Sequence, residues 1–252
     1  MKKVLFLIAA LMAAQSSFAA EVSVAVAANF TDAARDLAPL FENATGHTAK
    51  ISFGSTGKLY TQIENGAPFE VFLAADSRRP QKAEAEGLAV PGSRFTYASG
   101  KLVLWSANPG LLADAEAWLL QGKHRLAIAN PKTAPYGVAA QQVIVHLGVW
   151  ESQKRRIVQG DSIAQTFQFV ATQNAEAGFV AYSQVKAWKG ERGSLWDVPQ
   201  AYYAPIEQQA VLLKKGENNL AAKAFLEFLK SDAARAVIRG YGYGVEQGSS
   251  GQ

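Results

Sequence analysis

The chain contains no cysteine. Disulfides, thiolate nucleophiles and cysteine metal sites are therefore excluded, and stability rests on an apolar core, which a chain of this length can make large. Charge is also sparse: Asp, Glu, Lys and Arg together make up 18% of the residues, and no long basic run occurs. The formal net charge is +4, of which Lys2 and Lys3 carry two, leaving about +2 for the rest. That balance argues against nucleic acid as a partner and makes any selectivity for an anion a local property. The three histidines, His47, His124 and His146, are scattered, so surface positions are expected and no metal-cation ligands. No Gly-x-Ser-x-Gly elbow or paired histidine supports a hydrolase, and the expectation is a protein that is not an enzyme. Past the N-terminus, no apolar run is long enough to span a bilayer.

The N-terminus itself has the layout of a secretory signal. Lys2 and Lys3 supply the charge, Val4 to Ala14 the apolar segment, and Ser17-Phe18-Ala19 a small-x-small cleavage site. Without a lipobox cysteine no lipid anchor is indicated, so the mature chain is expected to begin near Ala20 and to reside in the periplasm.

From there the pattern is regular. Glu21 to Ala28 predicts a buried strand, and a helix follows to about Ala44 with Ala33, Leu37, Leu40 and Phe41 on its apolar face. Lys50 to Phe53, Val71 to Ala74, Leu102 to Trp105, Leu126 to Ala129, Arg156 to Gln159 and Ala177 to Ala181 predict further strands, mostly followed by helical stretches. This βα rhythm predicts an α/β fold with mainly parallel sheets. Ala204 to Leu213 reads as a long extended run, followed by two closing helices.

Several strand-to-helix turns carry neutral donors. Asn29 follows the first strand. Gly54-Ser55-Thr56-Gly57 follows the second and opens a helix at Lys58. Tyr136 and Gly137 sit in a later turn, and Asp161-Ser162-Ile163 in another. Such turns aim free N–H groups and the positive end of a helix dipole at one point. Taken singly, Ser55, Thr56 or Asn29 reads as an N-cap; taken together, at the carboxyl ends of strands in two facing blocks, they suit a ligand site. Neutral donors hold a small ionised oxyanion without burying a counter-charge. A P-loop is rejected, because only two residues separate Gly54 from Gly57 and Leu59 follows Lys58 where a hydroxyl is needed.

The segments Val-Ala-Val-Ala-Ala-Asn-Phe-Thr-Asp-Ala (24–33), Phe-Gly-Ser-Thr-Gly-Lys-Leu (53–59), Gly-Ala-Pro-Phe-Glu-Val-Phe-Leu-Ala-Ala-Asp (66–76), Ala-Pro-Tyr-Gly-Val-Ala-Ala (134–140) and Gly-Phe-Val-Ala-Tyr-Ser (178–183) resemble, in order, the periplasmic molybdate-binding proteins of molybdate ABC transporters. The resemblance implies a type II periplasmic-binding fold of two α/β domains joined by two crossover segments: domain I from 20–98 and 206–247, domain II from 99–205, with a flexible tail at 248–252. It implies a tetrahedral oxyanion, molybdate or tungstate, held by hydrogen bonds alone, no cofactor, a membrane permease as partner, and a monomer. Carried over by motif, the ligand residues are Asn29, Ser55 or Thr56, Tyr136 and the main-chain N–H of Ile163. A common form of the pattern has serine at Asn29, a small residue at Tyr136 and tyrosine at Ala181. Here Tyr136 is expected to supply the phenol, with Tyr182 as the second candidate. The rival readings are the same fold binding sulfate or phosphate, and a secreted hydrolase.

Overall fold

The computed structural model describes residues 19–245. The expected signal segment (Ala19 apart) and the tail at 248–252 lie outside them. The chain first lays down β1 (Glu21–Ala27), a 3₁₀ turn (Ala28–Phe30), α1 (Thr31–Thr45), β2 (Thr48–Gly54), α2 (Thr56–Glu64), β3 (Val71–Leu73), α3 (Arg78–Ala85) and β4 (Phe95–Gly100). It then builds β5 (Leu102–Ser106), α4 (Ala115–Leu120), β6 (Leu126–Ala129), α5 (Pro135–His146), α6 (Trp150–Gln153), β7 (Ile157–Gly160), α7 (Ile163–Ala171), β8 (Ala177–Ala181), α8 (Tyr182–Ala187) and β9 (Ser194–Asp197). Finally β10 (Ile206–Leu212), α9 (Leu220–Leu229) and α10 (Asp232–Gly240) return to the first block.

The strands form two five-stranded sheets, β2-β1-β3-β10-β4 and β7-β6-β8-β5-β9. In the first, β1 is parallel to β2 and β3, while β10 runs antiparallel to β3 and β4. In the second, β6 is parallel to β7 and β8, while β5 runs antiparallel to β8 and β9. Each sheet thus has one reversed strand, which places the carboxyl ends of the other four at a common end. The chain crosses between sheets twice, at Gly100–Leu102 and between Asp197 and Ile206.

Local sequence explains most elements. The β-branched Val22, Val24 and Val26 are fully buried in β1, as befits a strand covered on both faces. On α1, Ala33, Ala34, Leu37 and Phe41 face the core, while Leu40 is 38% exposed and lies off that face. Phe41 meets Phe225 of α9 edge-on at 5.1 Å, and burying such a ring stabilises by roughly 1.5–3 kcal/mol. Gly46 ends α1 in the left-handed conformation at φ 73° and returns its N–H to Glu42. Edge strands β4 and β9 and the short helices α4, α6 and α8 escaped the periodicity reading. Each is short, and β4 ends in Ser99-Gly100, residues that favour turns.

Between the lobes the packing is close. Ala27, Ala28 and Ala75 of the first lobe share one apolar cluster with Leu102, Tyr136 and Ile163 of the second. Small side chains at those three positions let the two backbones approach.

Candidate functional site

The carboxyl ends of β1, β2, β3, β6, β7 and β8 converge on the interlobe cleft. Cross-lobe bonds mark the convergence. Gly57 N–H donates to Thr133 O at 2.8 Å, joining the first turn of α2 to the loop that opens α5. Lys58 Nζ meets Asp161 Oδ2 at 2.7 Å, just ahead of α7. Arg79 Nη2 donates to Lys132 O at 3.1 Å. A Cβ on Gly57 would stand 2.9 Å from both Arg79 Nη2 and Thr133 Cα, so the lobes close this tightly only over a glycine.

Three of the turns open helices of nine residues or more, α2, α5 and α7. Pro135 takes the first position of α5, where its missing N–H costs nothing, and holds Ala134 extended before it. Ser162 caps α7 by accepting from Gln165 N–H at 3.2 Å, and Ile163 is the first residue of that helix, whose N–H has no intrahelical partner. Gln184 Nε2 donates to Ile163 O at 3.1 Å and steadies that turn.

Ser55 occupies the N-cap position of α2, yet its side chain makes no capping bond. It is 4% exposed, and its Oγ is buried without a hydrogen-bond partner. A buried hydroxyl left unpaired is costly, so the N-cap reading of Ser55 is not what the structure has. Thr56 differs: its Oγ1 accepts from Ala75 N–H at 3.2 Å, tying α2 to the end of β3.

Asn29 is buried in the same cleft but already engaged. Its Nδ2 donates to Gln208 Oε1 at 2.8 Å and to Tyr243 OH at 3.0 Å. Its carbonyl accepts from Tyr243 OH at 2.7 Å and from Ser183 Oγ at 3.0 Å. Tyr136 is 1% exposed, and its hydroxyl accepts from Gln208 Nε2 at 3.4 Å. Burial raises the ionisation of the Tyr97, Tyr136 and Tyr243 phenols above the usual tyrosine range, so all three stay neutral at physiological pH.

Tyr182 is not brought to this cluster. It opens α8 with its ring against Gly242 and under the Lys101 ammonium, 5.4 Å from the ring centre. The next residue, Ser183, points into the cleft instead. The strand ends at Ala181, and the helical turn that follows sends neighbouring side chains in different directions. Lys58, half exposed, pairs with Asp161. One cation that motif reading overlooked does stand close by: Arg79, largely buried, pairs with Asp76 and is thereby neutralised. Ser183, Gln184, Gln208, Tyr97 and Tyr243 were also missed. The available signals were the position of Ser183 and Gln184 just past a parallel strand, and of Gln208 and Gln209 leading into the apolar run Ala210 to Leu213. The histidines do not gather: among the described residues no group of three metal-ligating side chains occurs.

A cleft between two α/β lobes, lined by neutral donors at the strand ends, is an arrangement suited to binding a small solute. Residues 22–244 match the family described as bacterial extracellular solute-binding protein. The chain is 59% identical over 231 residues to the molybdate-binding protein ModA of Azotobacter vinelandii, covering 90% of this chain and 91% of that one. It is 56% identical over 228 residues to ModA of Rhodobacter capsulatus, covering 90% of each. A solved structure of an Azotobacter vinelandii periplasmic molybdate-binding protein superposes with a TM-score of 0.85 at 43% identity, covering 90% of this chain and all of that one. The chain belongs to the bacterial extracellular solute-binding proteins, and among them to the molybdate-binding family.

Proposed function

We propose that this chain captures molybdate or tungstate in the periplasm and delivers it to the membrane permease of an ABC transporter. It does no chemistry on its ligand and acts as a monomer of two domains, 20–98 with 206–247, and 99–205. The ion sits between the first turns of α2, α5 and α7. Ser55 and Tyr136 give hydroxyl donors, and Ile163 its main-chain N–H. Thr56 and Asn29 stand beside the ion mainly as braces, Thr56 by its bond to Ala75 and Asn29 through its amide.

The observation that carries this reading is Ser55 Oγ, buried at a helix N-terminus with no partner in the protein. A donor in that place is accounted for by an anion in the cleft. The relatives at 59% and 56% identity, both molybdate-binding proteins, favour molybdate over sulfate or phosphate. Both nearby cations are paired, Lys58 with Asp161 and Arg79 with Asp76, so neutral dipoles are left to balance the ion. Cross-lobe bonds form with closure, and closure presents the permease with a surface that the open form lacks.

Thermal unfolding with a panel of oxyanions tests the reading. At free ligand about a thousandfold above Kd, binding adds roughly 4 kcal/mol of stability. Molybdate and tungstate are expected to raise Tm clearly, and sulfate and phosphate little. Equal shifts with sulfate would transfer the assignment to that anion.

A further inference from the structure

We infer that Gln208 sets the direction of a buried hydrogen-bond relay that holds the Tyr136 hydroxyl as a proton donor toward the cleft, and so makes the site selective for fully deprotonated oxyanions. The inference rests on the reading of the cleft as an oxyanion site.

The relay starts at a group whose role is fixed. The main-chain carbonyl of Asn29 can only accept. Tyr243 OH lies 2.7 Å from it and 2.9 Å from Ser183 Oγ, which itself stands 3.0 Å from the same carbonyl, so the single Tyr243 proton is spent on that carbonyl or on Ser183 and in neither case on the Asn29 side chain. The Tyr243 oxygen must then accept from the side-chain amide of Asn29, 3.0 Å away. That identifies the Asn29 atom facing Tyr243 as Nδ2. The same nitrogen faces Gln208 at 2.8 Å, so the Gln208 atom there is the carbonyl Oε1. Tyr97 OH, 3.1 Å from that Oε1, is placed to donate to it as well. Gln208 Nε2 is left to face Tyr136 OH, at 3.4 Å. The usual ambiguity of amide orientation is thus removed by the carbonyl at the head of the chain.

The consequence falls on Tyr136. Its oxygen accepts from Gln208, so its own proton turns elsewhere. The opposite polarity would spend that proton on Gln208 and present oxygen lone pairs to the cleft. On the side of the crossover strand the ring is held closely: a Cβ on Gly100 would stand 2.3 Å from the hydroxyl and 2.8 Å from Gln208 Nε2. Tyr136, Gln208 and Gly100 belong to α5, β10 and β4, so the relay ties the second lobe to the two strands beside the crossovers.

Donor polarity matters because oxyanions differ in their protons. Molybdate and tungstate at neutral pH have no proton to give, and every oxygen accepts. Hydrogen phosphate has one O–H, which needs an acceptor. A site whose hydroxyls are all turned as donors leaves that proton facing another proton. Gln208 touches no part of the ligand in this scheme; it is a positioning residue that acts through Tyr136.

The test is a double-mutant cycle on the full mature chain, using Gln208→Met, Tyr136→Phe and the pair, with molybdate and inorganic phosphate as titrants. A hydrogen bond to a charged ligand corresponds to about tenfold to a hundredfold in affinity. Gln208→Met is expected to weaken molybdate about tenfold in the parent and about twofold or less in the Tyr136→Phe background. Gln208→Glu, close in shape, is the second variant: its carboxylate accepts from Tyr136 and reverses the relay. It is expected to lower the ratio of molybdate to phosphate affinity by about tenfold or more. An equal cost of Gln208→Met in both backgrounds, or an unchanged ratio in Gln208→Glu with native circular dichroism, overturns the relay. A parent that binds no molybdate overturns the oxyanion reading, and the relay with it.

Discussion

Replacing Ser55 by alanine should move stability and affinity in opposite directions. With the lobes together the Oγ is buried without a partner in the protein, and a hydroxyl in that condition costs about 1–3 kcal/mol in desolvation, whereas with the lobes apart water can satisfy it. The side chain makes no capping bond to α2, so alanine forfeits none of the usual N-cap contribution. The unliganded Ser55→Ala protein should therefore be as stable as the parent or more so, by up to about 1 kcal/mol after the lost packing of one small atom. Affinity should fall, because a hydrogen bond to a charged ligand contributes about 1.5–3 kcal/mol, or about tenfold to a hundredfold in Kd. Urea unfolding without ligand gives the first quantity, and calorimetric titration with molybdate the second. A protein destabilised by more than about 1 kcal/mol that binds like the parent would show that Ser55 is an ordinary cap.

Tyr136→Phe should weaken molybdate about tenfold to a hundredfold with the fold intact by circular dichroism, whereas Tyr182→Phe should bind like the parent; the reverse result would return the phenol to Tyr182. Lys58→Ala removes a half-exposed ion pair and should cost less than about 1 kcal/mol in affinity, so a hundredfold loss by calorimetry would place Lys58 on the ion. Gly57→Ala should act as a wedge between the lobes, sharply weakening binding while leaving unliganded stability near that of the parent, because the added Cβ meets Arg79 and Thr133 across the closure; parent-like affinity would show that closure tolerates a side chain there. Burial raises the ionisation of Tyr97, Tyr136 and Tyr243 above that of the unfolded chain, so stability from these phenols is fully present below pH 10 and declines as pH rises beyond it. Absorbance titration of phenolate should show tyrosines that resist ionisation until the protein unfolds, and a single transition near pH 10 for all of them would contradict their burial.

Much of the scaffold is legible locally. Valine alternation marks β1, Gly46 marks the end of α1, and Asp161-Ser162 marks the start of α7, where Ser162 does cap the helix. The turns with Ser55, Tyr136 and Ile163 were legible for the same reason, because a strand that stops at small or polar residues and opens a helix is a local pattern. What surrounds them was not. Gln208 meets Asn29 across 179 residues of sequence, and Tyr243 meets it across 214. Such contacts follow from which strands pair, and no local periodicity encodes that β10 inserts between β3 and β4. Arg79 was hidden in a similar way: a charged side chain after Asp76 reads as a solvated helix start, and only the approach of the second lobe buries it. Ser183 rather than Tyr182 reaches the interlobe cluster because of a single position, the point where β8 gives way to α8.

The central claim is that a molybdate ion is gripped by neutral donors from both lobes. Crystals of the mature chain grown with molybdate, measured at the molybdenum absorption edge, test it most directly. The account predicts one anomalous peak in the interlobe cleft, within hydrogen-bond distance of Ser55 Oγ, the Tyr136 hydroxyl and Ile163 N–H, with Lys58 still on Asp161 and Arg79 still on Asp76. A peak bound by the Lys58 ammonium or the Arg79 guanidinium, or one lying outside the cleft, would contradict it.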